Sequence, residues 1–136
     1  MSKSADLDAL FSAAKLAQGR AYAPYSRFRF GAAIRSASGA IYAGCNVENA
    51  AYPSTSCAEA GAISAMVAAG DRQIAEVLVI GDSELLVTPC GNCRQKIREF
   101  AGPDTPVHIA GPGGVRATFT LAQLLPESFG PDNLTK

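Results

Sequence analysis

The chain has 136 residues and a mass of 14.0 kDa, enough for one domain that buries roughly two thirds of its unfolded surface. Twelve Lys and Arg residues balance twelve Asp and Glu residues without forming a basic cluster, which disfavours a nucleic-acid partner. The longest apolar run, at 60–70, falls well short of the ~20 residues of a membrane span, and the N-terminus lacks the apolar segment of a signal peptide. We therefore expect residues 1–136 to form a single cytoplasmic domain with no membrane partner.

The first predicted elements are an amphipathic helix and a hairpin. Five apolar residues recur at helical spacing ahead of Pro24, namely Leu7, Leu10, Phe11, Ala14 and Ala17. The stretch RFRFGAAIRS at 27–36 alternates and then becomes apolar, which predicts a strand. SASG is a turn signal, and AIYAGCN at 40–46 follows it as a second short strand.

The rest of the chain alternates between helices and strands. The alanine-rich stretch at 57–70 predicts a long helix ending near Gly70, and the apolar stretch at 74–81 predicts a strand covered on both faces. A short helix at 91–100, strands at 105–111 and 115–120, and a closing helix at 121–129 complete the pattern. The order αββαβαββα predicts a three-layer α/β/α sandwich around a mixed five-stranded sheet.

Three cysteines indicate the chemistry. Cys90 and Cys93 are three apart at a predicted helix start, where exposed backbone amides favour thiolates. Cys57 opens the long helix, and Glu59 follows two residues later; their side chains converge only if Cys57 lies at the cap or in the first turn. Structural zinc sites are closed by four protein ligands, whereas catalytic sites keep one position open. Three thiols with a nearby carboxylate therefore favour catalytic zinc.

The residues also allow two other interpretations. Cys45 is a fourth thiol that could complete a closed zinc site, and the protein would then be a zinc-stabilised binding protein with four Cys ligands. The CGNC motif at 90–93 has the spacing of a redox disulfide, but that interpretation leaves Cys57 and Glu59 without a role.

Five segments of the chain, in this order and at these spacings, resemble the short, homotetrameric, three-cysteine zinc type of cytidine deaminase. They are YAPYSRFRFGAAI at 22–34, GCNVENAAYP at 44–53, CAEAGAI at 57–63, TPCGNCRQ at 88–95 and LLPESF at 124–129. The resemblance implies an enzyme of pyrimidine salvage that hydrolyses cytidine and deoxycytidine to uridine and deoxyuridine with release of ammonia. A related amidohydrolase acting on a modified cytosine nucleoside or a nucleoside antibiotic is the alternative enzyme.

By this resemblance each subunit binds one zinc ion through Cys57, Cys90 and Cys93, and the metal lowers the pKa of its bound water. Glu59 would take a proton from that water and deliver protons to N3 of the pyrimidine and to the amine leaving C4. The resemblance also implies a set of substrate contacts: Phe28 on the base, Asn46 and Glu48 on the ribose 3′-hydroxyl, the Ala58 amide and the Thr88 carbonyl on the pyrimidine O2 and amine, and Phe129 from a neighbouring subunit.

One position departs from the family pattern. Ala60 stands where the family commonly has an arginine that hydrogen-bonds the zinc thiolates. The two helix starts, each equivalent to about half a positive charge, remain to offset the thiolate charge. Arg94 would contribute as well if it folds back toward the thiolates.

Overall fold

The computed structural model describes residues 3–134, in which four α-helices and five strands follow the predicted order. Short 3-10 helices lie at Tyr52–Ser54 and Pro131–Leu134. None of the described helices is long and apolar enough to cross a membrane. The bounds are α1 Lys3–Gln18, β1 Phe30–Ser36, β2 Ile41–Cys45, α2 Ala58–Ala68, β3 Ile74–Gly81, α3 Gly91–Arg98, β4 Pro106–Gly111, β5 Gly114–Thr120 and α4 Leu121–Leu124.

The strands form a mixed sheet in the order β2-β1-β3-β4-β5. Strands β3 and β4 are parallel, and the other neighbouring pairs are antiparallel. Helix α1 packs on one face with a core that includes Leu10 and Leu78, and α2 and α3 pack on the other with a core that includes Met66 and Ile97. The predicted three-layer α/β/α sandwich is therefore confirmed.

Two predicted boundaries were wrong by three residues or more. Strand β1 begins at Phe30 rather than at residue 27, because Arg27 has a φ of 60° in a turn that precedes the strand. Helix α4 ends at Leu124 rather than at residue 129, because Pro126 has no amide to donate to a continuing helix. The start of α4 is fixed by a capping box between Thr120 and Gln123.

Helix α2 lies very close to the edge strand β2. A Cβ atom built on Gly44 would lie 2.5 Å from both the Ala58 carbonyl oxygen and the Ala62 amide nitrogen. A Cβ atom built on Gly61, on the helix side, would lie 3.5 Å from the Gly44 Cα, which is an ordinary contact. The absence of a side chain at Gly44 thus lets the first turn of α2, which carries Glu59, rest directly on the strand.

Candidate active site

Two helix starts bring the three predicted metal ligands together. Cys57 is the N-cap of α2 and Cys90 is the N-cap of α3, both with extended backbone, and Cys93 lies in the first turn of α3. The three sulfur atoms all lie within 4.8 Å of one another. The expectation that Cys57 occupies a helix cap is confirmed, and this placement turns its side chain toward the other helix start.

This donor set fits a zinc ion. Tetrahedral zinc with bonds of about 2.3 Å to sulfur holds its thiolates roughly 3.8 Å apart, and the three sulfur atoms lie within 4.8 Å of one another, which is compatible with that separation. Burial raises the pKa of the Cys57 and Cys93 thiols, and the neighbouring Glu59 carboxylate adds to the rise. A divalent cation would supply the positive charge that such buried thiols need in order to ionise. Within residues 3–134 Cys45 stays outside the cluster, so the four-cysteine site is not formed.

Glu59 shares a cavity of about 340 Å³ with the three cysteines. Its side chain is 7% exposed, and burial raises its pKa, only partly offset by hydrogen bonds from its own amide and from the Cys93 thiol. A raised pKa makes the protonated form of this carboxyl easier to reach, which suits a group that alternately accepts and donates a proton.

Five of the six predicted substrate contacts line the same cavity, namely Phe28, Asn46, Glu48, Ala58 and Thr88. Asn46 is 5% exposed, and its side-chain amide is hydrogen-bonded to the backbone of its own chain. Its Oδ1 accepts a hydrogen bond from the Phe30 amide at 2.9 Å, and its Nδ2 donates to the Phe28 carbonyl at 3.0 Å. The side chain therefore fixes the backbone on both sides of the chain segment that carries the Phe28 ring.

Glu48 also holds this segment. Its Oε1 accepts hydrogen bonds from the amides of Tyr25 at 2.9 Å and Ser26 at 3.1 Å, and its Oε2 accepts one from the Ser26 hydroxyl at 2.5 Å. The bond from the Ser26 hydroxyl is the main reason that the pKa of Glu48 lies below its ordinary value, so the carboxylate is ionised at neutral pH. Sequence reasoning missed Ser26, since a serine in a turn carries no signal of a partner 22 residues away.

The hydrogen bonds of Arg94 go to carbonyl and hydroxyl groups and not, as the sequence suggested they could, to the thiols. Its guanidinium donates hydrogen bonds to the Pro89 carbonyl at 2.6 Å, the Leu124 carbonyl at 2.7 Å and the Thr88 hydroxyl at 2.9 Å. These bonds direct Arg94 to the turn before Cys90 and to the end of α4. Ala60 lies in a groove between α2 and α3, which leaves the two helix N-termini as the positive groups at the cysteines.

Phe129 is the one predicted substrate contact outside the cavity lining. Its side chain is 59% exposed, and its carbonyl accepts a hydrogen bond from the Gln95 side chain at 2.8 Å. Arg98 holds the same segment through Ser128 at 2.9 Å and Asp132 at 2.8 Å. The backbone around Phe129 is thus bound to α3, while its exposed ring does not line the cavity of its own chain.

Among the described residues, the carboxyl groups of the cavity lining are not matched by basic side chains. Glu48 and Glu59 are the acidic residues in its lining, and within the described part of the chain the lining includes no Lys, Arg or His. The remaining polar lining is supplied by uncharged groups such as Ser26, Thr55 and Ser56. A neutral or cationic ligand therefore suits the cavity better than an anion.

Comparison with known proteins agrees with this geometry. Residues 4–109 match the family described as the cytidine and deoxycytidylate deaminase zinc-binding region. The chain is 42% identical over 130 residues to a cytidine deaminase from Sporosarcina psychrophila, covering 96% of each chain, and 36% identical over 129 residues to one from Halalkalibacterium halodurans, covering 95% and 98%. Its structure matches that of a cytidine deaminase from Burkholderia pseudomallei with a TM-score of 0.84 and 40% identity, over 95% of this chain and 100% of that one. From the cysteine cluster, the fold and these relatives together, we conclude that the chain belongs to the cytidine deaminase family.

Proposed function

We propose that the protein is a zinc-dependent hydrolase that converts cytidine and deoxycytidine to uridine and deoxyuridine and releases ammonia. The observation that carries this proposal is the placement of Glu59, buried, in one cavity with the three clustered thiols. Cys57, Cys90 and Cys93 would hold the zinc. When bound there, zinc supplies a nucleophile at neutral pH, because it lowers the pKa of water.

In this mechanism Glu59 moves the protons. Its carboxylate accepts a proton from the attacking water and gives it to N3 of the pyrimidine, which makes C4 electrophilic. After the oxygen has added to C4, Glu59 takes the remaining proton from that oxygen and passes it to the amine, so that ammonia leaves as the C4 carbonyl forms. The low exposure of Glu59 keeps bulk water from competing for these protons.

The other lining residues would orient the nucleoside. Phe28 packs against the base, and the Ala58 amide, at the free N-terminal end of α2, donates to the pyrimidine O2. The Thr88 carbonyl accepts from the exocyclic amine, and Arg94 keeps this carbonyl in place through the Thr88 hydroxyl and the Pro89 carbonyl. Glu48 and Asn46 face the ribose 3′-hydroxyl.

Nucleosides should be preferred to nucleotides, although the family description includes deoxycytidylate. A phosphate carries negative charge into a cavity whose charged lining groups are both carboxylates. We expect the zinc-loaded protein to release ammonia from cytidine and deoxycytidine with kcat/KM at least roughly 100-fold above that for the corresponding monophosphates, a difference of about 2.7 kcal/mol.

The measurement is ammonia release from a panel of cytosine nucleosides, their monophosphates, modified cytosine nucleosides and free cytosine. Equal rates for nucleosides and monophosphates would contradict the charge argument. Turnover of a modified nucleoside in clear preference to cytidine would assign the protein to the alternative amidohydrolase.

We further propose that the protein acts in the cytoplasm, in pyrimidine salvage, as a homotetramer of single-domain subunits that each use Phe129 of a neighbour. The exposure of the Phe129 ring on a backbone segment fixed by Gln95 and Arg98 supports this arrangement. The balanced charge of the chain gives no reason to expect a nucleic-acid partner.

A subunit-mixing experiment tests the shared site. Glu59→Ala subunits lack the proton carrier, and Phe129→Ala subunits lack the aromatic ring, so each assembly alone should show strongly reduced activity. After dissociation and reassembly, some cavities combine an intact Glu59 with an intact neighbouring Phe129, and we expect part of the wild-type activity to return. If mass measurement shows that mixed assemblies have formed and no activity returns, the proposal that neighbouring subunits share the active site is contradicted.

A further inference from the structure

We propose that Ser26 is a positioning residue for sugar recognition, which rests on the proposed nucleoside deaminase function. Its hydroxyl lies in the turn before β1, lines the cavity, and donates to Glu48 Oε2 at 2.5 Å. In this role the hydroxyl fixes the rotamer of the Glu48 carboxylate, so that the carboxylate is already oriented when the sugar arrives.

The hydrogen bonds of Glu48 leave little freedom for another partner. An ionised carboxylate has about four acceptor sites. Two are filled on Oε1 by the amides of Tyr25 and Ser26, and one is filled on Oε2 by the Ser26 hydroxyl. One acceptor site remains, on Oε2, and it matches a ligand group that donates, such as a sugar hydroxyl.

The same hydroxyl links the carboxylate to the residue that would face the base. Ser26 Oγ accepts a hydrogen bond from the Phe28 amide at 3.0 Å. Between these two residues Arg27 has a φ of 60°, a left-handed conformation that is unfavourable for a side chain with a Cβ. The contacts around this turn must offset that cost, and Ser26 provides two of them.

Loss of the hydroxyl should therefore weaken binding of the sugar rather than the proton transfers of Glu59. Without its short bond from Ser26, Glu48 Oε2 is free to turn toward solvent, and the ligand must order it again on binding. Chemistry at C4 depends on Glu59 and the metal ligands, which Ser26 does not contact in any hydrogen bond of the structure. The effect should appear in KM and should require a 3′-hydroxyl on the substrate.

The experiment compares Ser26→Ala and Ser26→Thr with wild type at equal zinc content, on cytidine, deoxycytidine and 2′,3′-dideoxycytidine. We expect Ser26→Ala to raise KM for the first two about tenfold, as for a lost charge-assisted bond, while kcat changes less than about twofold. The KM of Ser26→Ala for 2′,3′-dideoxycytidine should stay within about twofold of the wild-type value. Ser26→Thr keeps a hydroxyl, so its KM for cytidine and deoxycytidine should return most of the way to the wild-type value. Ser38→Ala is the matched control, because Ser38 also donates to a carboxylate, that of Asp71, outside the cavity.

Three results for Ser26→Ala would overturn the proposal. The first is an equal rise of KM for substrates with and without the 3′-hydroxyl, which would place the effect on the base or on the fold. The others are a fall in kcat alone and kinetics that do not differ from those of wild type. Calorimetric binding of uridine and 2′,3′-dideoxyuridine makes the same comparison without turnover. If zinc-loaded wild type releases no ammonia from any cytosine nucleoside, the proposed function fails, and these binding data still decide the role of Ser26.

Discussion

Replacement of Glu59 by glutamine is expected to lower kcat/KM for cytidine by at least roughly 10²-fold, and by up to about 10⁴-fold, without loss of zinc. Glutamine has the shape of glutamate but cannot carry a proton between the water, N3 and the leaving amine. Zinc should remain, because the three sulfur atoms form the cluster without Glu59. The fold should remain as well, since a neutral side chain replaces a carboxylate whose pKa is raised by burial.

The measurement combines ammonia release with zinc analysis and thermal unfolding of the same preparation. Glu99→Gln, at the exposed end of α3, is the matched control and should behave as wild type. A folded, zinc-loaded Glu59→Gln protein with near-normal kcat/KM would remove Glu59 from the mechanism.

The second large effect concerns stability. Gly44→Ala should destabilise the protein by about 3 kcal/mol or more, at the upper end of the cost of overpacking. The new Cβ would lie 2.5 Å from the Ala58 carbonyl oxygen and the Ala62 amide nitrogen, and backbone atoms cannot rotate out of the way as a flexible side chain can. Helix α2 would have to move off β2, and it would carry its N-cap Cys57 and Glu59 with it. We therefore expect weaker zinc binding as well as a lower free energy of unfolding.

Gly61→Ala is the control from the opposite side of the same contact. Its Cβ would meet the Gly44 Cα at 3.5 Å, and alanine is favoured over glycine in a helix by about 1 kcal/mol, so stability should be unchanged or increased. Urea unfolding and competitive zinc titration of both variants give the comparison. If Gly44→Ala were as stable as wild type, the close approach of α2 to β2 would not be required for the fold.

The parts of the fold and site that follow from local signals could be predicted from the sequence. Helical spacing, apolar strands and turn residues predicted the element order, since each depends on a short stretch of chain. The requirement that Cys57 lie at a helix cap or in the first turn followed from the two-residue spacing to Glu59, and the structure places it at the cap. The grouping of Cys57 with Cys90 and Cys93 around one metal was implied by the family resemblance, because a preference of thiolates for helix starts does not by itself bring two helices together.

The remaining features depend on pairs of residues that only the tertiary fold brings together. The sequence left open whether Arg94 reaches the thiolates, because its 30-residue separation from Leu124 carries no pattern that predicts their hydrogen bond. Ser26 was missed because its importance lies in the partner, Glu48, and not in its own residue type. The resemblance assigned Glu48 to the sugar, but no local signal predicted that the turn at 25–28 would hydrogen-bond to it.

Helix α3 joins the metal cluster to the C-terminal segment. Cys90 caps the helix and Cys93 lies in its first turn, and the next side chains bind the tail: Arg94 the Leu124 carbonyl, and Gln95 the Phe129 carbonyl. The start of one short helix thus serves two structures at once, so opening of this helix would release the tail together with the thiols. We therefore expect the first turn of α3 and residues 124–129 to exchange their amide hydrogens as one cooperative unit, and removal of the metal with a chelator should loosen the tail as well as the cysteines.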